Sequence, residues 1–296
     1  MALHVALVDR RRAFVFVGGG LALMIGSVLP LDWIHEGWFW YFVFWLPRQH
    51  PLVSRMAYDF WLLDLLAPLG LAAILGLFYL LVGADDAEAR RFHALATTGM
   101  LAVSWTGRLH AGGYPNVIMP GFAALAILFG LGVHAALGFA ARAPAEKQRG
   151  AGLLVLLAAA LQFAALAYDP RRFVPSPGDR LAGDALVATL RQAEGEVFVP
   201  AHGYLSRLAG KRALAHEMAM EDILGIGGGK PGAALLAELR KALREKRFAL
   251  IVPDTEWHRR EIDESYRRQR DAILDPAAFF PVTGMRTRPK GLYLPR

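Results

Sequence analysis

The hydrophobic pattern of the chain changes character once, near Asp169-Pro170. Before that point apolar residues run in long blocks, at about 13–30, 60–82, 93–106, 119–141 and 150–168. A helix needs roughly 20 apolar residues to cross the hydrocarbon core of a bilayer. The blocks therefore predict five spans, the third of them short and leading straight into a polar stretch. After Tyr168 the pattern becomes short apolar runs alternating with amphipathic ones. Asp179 to Glu194 predicts a helix with Leu181, Leu186, Val187 and Leu190 on one side. Residues 196–200 and 248–253 predict short buried strands, and Pro231 opens a helix to Lys246 at its first turn. A charged helix is expected over 255–273 and a terminal hairpin over 278–296. The proline-rich run Phe173 to Gly178 predicts a stiff connector. The expected fold class is an α-helical polytopic membrane region of about five transmembrane helices, residues 1–168, followed by a small soluble α/β domain, residues 169–296.

Composition sharpens this division. The mean hydropathy is +0.32 and 55% of residues are hydrophobic, too apolar for an ordinary soluble domain. Residues 1–168 hold only 20 of the 59 charged side chains. The chain contains no cysteine, which excludes disulfides, zinc–thiolate sites and thiol catalysis. Arginine outnumbers lysine 27 to 6, a bias of genome composition and not a nucleic-acid footprint. Arg10-Arg11-Arg12 before the first block resembles the start of a signal peptide, but no small-x-small cleavage site follows, so a retained first helix is expected. With the N-terminus cytoplasmic, inside segments carry Arg10, Arg11, Arg12, Arg90, Arg91, Arg142, Lys147 and Arg149. Outside loops carry only Arg48, Arg55 and Arg108. The positive-inside rule then puts loop 31–59, the polar stretch after block three and the whole C-terminal domain on the outer face.

Loop 31–59 crowds Trp33, Trp38, Trp40 and Trp45 with Phe39, Tyr41, Phe42 and Phe44 around Asp32, His35 and Glu36. Amphipathic rings favour the headgroup zone, so an interfacial helix is the simplest reading; a shelf beside a lipid-facing groove is the functional one. Asp59 and Asp64 begin the next block, where they can pair with Arg55 or Arg108.

Residues 107–120, Gly-Arg-Leu-His-Ala-Gly-Gly-Tyr-Pro-Asn-Val-Ile-Met-Pro, form a glycine-rich polar insert between two apolar blocks. Asn116 is the only asparagine in the chain. Irregular backbone at membrane depth must be buried in protein or face a watery cavity, and an ionisable group there is a functional-site hypothesis. Other motifs fail. Gly225-Ile-Gly-Gly-Gly-Lys230-Pro231 has Leu224 where a phosphate loop needs glycine and Pro231 where it needs Ser or Thr. Gly18-Gly19-Gly20 lies inside the first block, where small residues permit close helix packing. The nine histidines include no i, i+3 or i, i+4 pair, so no ligand motif supports a divalent cation, and no cofactor is expected. No Gly-x-Ser-x-Gly elbow is present.

The insert resembles a segment late in the membrane region of bacterial GT-C glycosyltransferases, the family-39-like relatives of protein mannosyltransferases and aminoarabinose transferases. Arg172-Phe-Val-Pro-Ser-Pro, Val199-Pro-Ala-His-Gly-Tyr204, Leu208-Ala-Gly-Lys211 and Ala215-His-Glu-Met-Ala219 resemble the extracytoplasmic tail of the same group. The resemblance covers roughly residues 30–296. It implies a bacterial inner-membrane protein that takes a sugar from a polyprenyl-phosphate-linked donor lipid and passes it to an extracytoplasmic acceptor. In that reading Arg108 neutralises phosphate oxygens. His110 and Asn116 add hydrogen bonds, Gly112 and Gly113 bring backbone N–H groups close to the anion, and Tyr114 walls the sugar or carrier. Members of the family have eight or more spans and carry their catalytic carboxylate in a first extracytoplasmic loop that precedes everything here. The expectation is a C-terminal portion, inactive without an N-terminal transferase half, with Asp32 and Glu36 as fallback candidates for the base. Two other classes stand beside it: a non-catalytic membrane-anchored module that binds a glycan or partner, and a transporter-like or flippase-like protein. The second class normally shows paired broken helices in two related halves, and this chain has one broken region and no repeat.

Overall fold

Four helices are long and apolar enough to cross a membrane: Arg10–Ile34, Met56–Gly83, Pro115–Ala141 and Ala145–Phe173. They make the protein membrane-associated and multi-pass. The computed structural model describes residues 2–83 and 86–296 and falls into two units, Met1–Tyr168 and Asp169–Arg296.

In the first unit we label the helices α1 (Arg10–Ile34), α2 (Met56–Gly83), α3 (Ala87–Arg108), α4 (Met119–Ala141) and α5 (Ala145–Ala165). The expectation of five spans, the third of them short, is corrected to four helices that are long and apolar enough to cross. Block 93–106 lies inside α3, whose 22 residues give it ample length, but Thr97, Thr98, Ser104 and Thr106 leave it less apolar than the others. Its two ends nevertheless meet the two ends of α2. Tyr79 Oη and His93 Nδ1 are 2.9 Å apart at one end, and Trp105 Nε1 donates to the Ala57 carbonyl (3.2 Å) at the other. Thus α3 runs antiparallel beside α2.

Small residues set the packing. Gly132, Ala136 and Ala140 share a buried stripe of α4, and a side chain at Gly132 would fall on the Leu75 carbonyl of α2. Such small-residue stripes let helix backbones approach closely where lipid offers no hydrophobic drive. The Ser104 Oγ, fully buried, accepts from the Gly121 amide (2.9 Å) and joins α3 to α4. Helix α1 buries only Ala13 and leaves Phe14 and Leu23 about four-fifths exposed, a surface suited to lipid and not to water. Within α2 the stretch Phe60–Leu66 is wound as a π-helix, and Leu69, after Pro68, leaves helical geometry.

The second unit is a four-stranded mixed sheet in the order β1-β2-β4-β3, with β1 (Glu196–Phe198), β2 (Phe248–Ile251), β3 (Tyr266–Asp271) and β4 (Gly291–Pro295). β1 and β2 are parallel; β4 runs antiparallel to both β2 and β3. Side chains alternate across the sheet. Val197, Leu250 and Val252 pack with Leu186 and Leu190 of α6 (Pro177–Gln192). Phe198 and Ile251 pack with Leu239 and Leu243 of α7 (Gly229–Arg244). Both faces are covered, which is why the strands read as continuous apolar runs.

Two expectations are corrected here. The charged helix over 255–273 is a helix only at Arg259–Ser265, and then becomes β3. Tyr266 decides this: its ring is fully buried and its Oη accepts the Phe248 amide (3.1 Å), anchoring an otherwise exposed edge strand rich in arginine. The hairpin over 278–296 is absent, because β4 pairs with β3 and not with residues 278–290.

Candidate functional site

The insert begins where α3 ends. Its backbone forms an antiparallel bridge with the loop before α2: the Val53 amide donates to the Leu109 carbonyl (2.8 Å) and the Ala111 amide to the Pro51 carbonyl (3.0 Å). The Gly113 amide then donates to the His110 carbonyl (2.8 Å), and a single 3-10 turn, Pro115–Ile118, leads into α4. Gly113 is obligatory in this knot, since a Cβ there would strike the Gly107 and His110 carbonyls. The polar backbone is thus satisfied locally, as a membrane boundary demands.

Arg108 is the centre of the knot. Its Nε donates to Asp64 Oδ2 (2.7 Å) and its Nη1 to the Gly113 carbonyl (2.6 Å), with both charged side chains largely buried. Asp64 belongs to the π-wound stretch of α2, a rare geometry that recurs at functional sites. Asp59 pairs instead with Arg55 (2.9 Å). The guanidinium has five N–H donors, and these bonds use two. His110 donates Nδ1 to the His50 carbonyl (3.3 Å), which leaves Nε2 as its second ring nitrogen. Gly112, Tyr114 and Asn116 are exposed.

Arg108, His110 and Gly113 are therefore brought together around Asp64 and Pro51. Asp32 and Glu36 are not: among the described residues neither bonds to the insert. Asp32 accepts the Trp40 amide (2.8 Å) and so folds the aromatic segment back on the end of α1, while Glu36 is exposed in a left-handed turn with Gly37. Among the described residues no group of three or more His, Cys, Asp or Glu could hold a metal ion.

A second polar cluster lies wholly in the second unit, where β1 and β2 end. His202 follows β1 and Asp254 follows β2; the imidazole Nε2 donates to Asp254 Oδ2 (2.7 Å). The Asp254 side chain is fully buried and its Oδ1 has no partner, and the same holds for Glu217 Oε2. Glu217 Oε1 accepts from Thr255 Oγ1 (3.2 Å), and the Glu217 amide donates to the Pro200 carbonyl (2.9 Å). Burial, and then the charge of Asp254, push the Glu217 carboxyl up despite the Thr255 hydrogen bond. Carboxyl-end loops of parallel strands are where α/β sheets place ligands. The signal in the sequence is an apolar strand ending directly in Pro-Ala-His-Gly-Tyr and another ending in Pro-Asp-Thr, but pairing His202 with Asp254 needs the parallel register.

No protein-family model, curated protein or solved structure matches the chain.

Proposed function

We propose that the protein is the membrane-embedded C-terminal portion of a GT-C-like glycosyltransferase of the bacterial inner membrane. With α3, which runs antiparallel beside α2 from end to end, crossing as a fifth and more polar span, its N-terminus is cytoplasmic and its α/β domain extracytoplasmic. It holds the phosphate of a polyprenyl-phosphate-linked sugar at the 107–120 insert. The observation that carries this reading is Arg108, fixed on Asp64 and the Gly113 carbonyl with N–H donors to spare at the edge of apolar helices. An arginine in that position presents a rigid fork suited to phosphate oxygens. Asp64 offsets the cost of keeping the cation there when no lipid is bound, and orients it. His110 Nε2, the Asn116 amide and the exposed Gly112 backbone supply neutral contacts, and Tyr114 offers a wall for the sugar.

In the reaction so conceived, an acceptor hydroxyl or amine attacks the anomeric carbon and loses a proton to a base. The bond from that carbon to the phosphate oxygen breaks, and the leaving phosphate charge is stabilised by Arg108. The base comes from an N-terminal transferase half, with Asp32 and Glu36 as fallback candidates in loop 31–59, whose third acid, Asp59, is paired with Arg55. The test is binding of a polyprenyl-phosphate-mannose probe to the full chain in lipid nanodiscs. Arg108→Ala should weaken it by about ten- to a hundredfold, as expected for a lost charge-assisted bond. Arg108→Lys should also weaken it, because the fork is gone. Unchanged affinity in both variants removes the donor site.

A further inference from the structure

A cleft of about 670 Å³ opens in the second unit beside the His202–Asp254 pair. One wall is ring-faced: Tyr204, Phe279, Phe280 and Pro281. Hydroxyl groups of Ser176 and Thr287 lie on the same lining, with His202 among them. His202 spends Nε2 on Asp254, so its Nδ1 is left as an acceptor, and no bond among the described residues takes it. Burial, with the negative charge of Asp254 behind it, pushes the Tyr204 phenol up, so it stays an O–H donor at neutral pH.

The ring wall is built at a cost. Phe279 adopts φ +63°, a left-handed conformation that a bulky side chain rarely takes. Its amide is held by Asp179 Oδ1, and its ring lies where a Cβ on Gly183 would be. Strain of this kind survives where the surroundings over-determine it and clusters at ligand clamps. Phe280 is likewise fixed, with the guanidinium groups of Arg286 and Arg288 4.7 and 4.4 Å from its ring centre.

We infer that this cleft binds a saccharide, its flat C–H face against Tyr204 and Phe280 and its hydroxyl rim on His202 Nδ1 and the Tyr204 hydroxyl. An acyl or prenyl chain would leave the imidazole and phenol desolvated without partners. A sugar ring has both an apolar face and a hydrogen-bonding edge, which is what the lining offers. The inference does not rest on the transferase reading, since every residue in it belongs to the second unit.

The experiment uses the full chain in nanodiscs and ligand-observed saturation-transfer NMR with linear tetrasaccharides of glucose, mannose, galactose and N-acetylglucosamine. At least one should show transfer to its ring C–H protons. Tyr204→Ala and Phe280→Ala should each weaken that binding about tenfold or more, as aromatic anchors do, and His202→Ala should weaken it as well. Arg108→Ala, in the other unit, should leave it unchanged, so that failure of the donor site and failure of this one are separable. Thermal unfolding of each variant checks that the fold is kept, and Tyr204→Ala, at a ring about half exposed, serves if Phe280→Ala unfolds. Absence of transfer with all four sugars overturns the inference. So does binding that none of the three cleft variants alters, or occupation of the cleft by a proline-rich peptide in place of any sugar.

Discussion

Gln162 of α5 stands between the Pro68 carbonyl and the Ala72 amide of α2. Its Nε2 donates to the first (2.8 Å) and its Oε1 accepts from the second (2.9 Å). Those two backbone groups are i and i+4, partners in an unbroken helix. The kink at Leu69 parts them, and the buried side-chain amide inserts into the gap. Proline-broken helices persist within a bilayer when a neighbouring helix satisfies the freed groups in this way.

Gln162→Leu should therefore destabilise the first unit by about 1–3 kcal/mol, the cost of two unpaired buried backbone groups. Detergent-induced unfolding, followed by tryptophan fluorescence, measures it. A neutral Gln162→Leu would mean that α2 closes its own ladder once the amide is gone.

The Arg108–Asp64 pair predicts a non-additive result. Asp64→Leu or Arg108→Met leaves one charge without its partner at a largely buried position, at a cost of up to about 3–5 kcal/mol. The double variant Asp64→Leu with Arg108→Met removes both charges and should recover most of that loss. Thermal midpoints of the four proteins close the cycle. Additive losses would show that the pair has no coupling and that Arg108 is held mainly by Gly113.

Much of this organisation was legible in the chain. The apolar blocks located α1, α2, α4 and α5, and the short runs 196–200 and 248–253 located β1 and β2, because a fully covered element is apolar along its length. Asp64 was one of two acids in reach of Arg108, and only the π-wound stretch of α2 selects it over Asp59. The misreadings share one cause. Residues 266–271 are arginine-rich and polar, and composition alone suits a solvated helix; the single buried ring of Tyr266 and the long-range pairing with β4 override it. Block 93–106 misled in the opposite sense: its small hydroxyl residues make α3 more polar, although Ser104 is buried against α4. The His202–Asp254 pair joins residues 52 positions apart: each polar strand end is visible in the sequence, but the pairing itself appears only with the parallel register of β1 and β2.

The acid cluster behind His202 makes stability depend on pH in a defined direction. Burial holds the Glu217 carboxyl above its ordinary value of 4.5, so the native state keeps this proton where the unfolded chain has lost it. Between the unfolded and folded values the native state binds more protons, and this group's contribution to stability falls as pH rises. Below 4.5 the contribution is present in full. Glu217→Gln keeps an acceptor for Thr255 and cannot ionise, so it should raise the urea midpoint of the second unit's transition at pH 8 and change it little at pH 4. A variant equally stabilised at both pH values would assign the effect to packing and not to the buried charge.

Phe279 and Gly183 form the last testable pair. The ring occupies the space that any larger residue at 183 would need: a Cβ there would come within 2.6 Å of Phe279 Cε2. Gly183→Ala lies in the interior of α6, where alanine is otherwise favoured over glycine by about 1 kcal/mol. If the ring were free to move, the substitution would stabilise the unit. The Asp179 carboxylate holds the Phe279 amide in its left-handed conformation, so the ring has little room to retreat. The overlap should therefore outweigh the helix gain and destabilise by about 1–3 kcal/mol, as overpacking does. Adding Phe279→Ala to Gly183→Ala should reverse the sign of the glycine substitution, because the clash is gone and the helix gain remains. Chemical denaturation of the two singles and the double reads this directly, and a Gly183→Ala effect independent of residue 279 would show that the ring is not pinned.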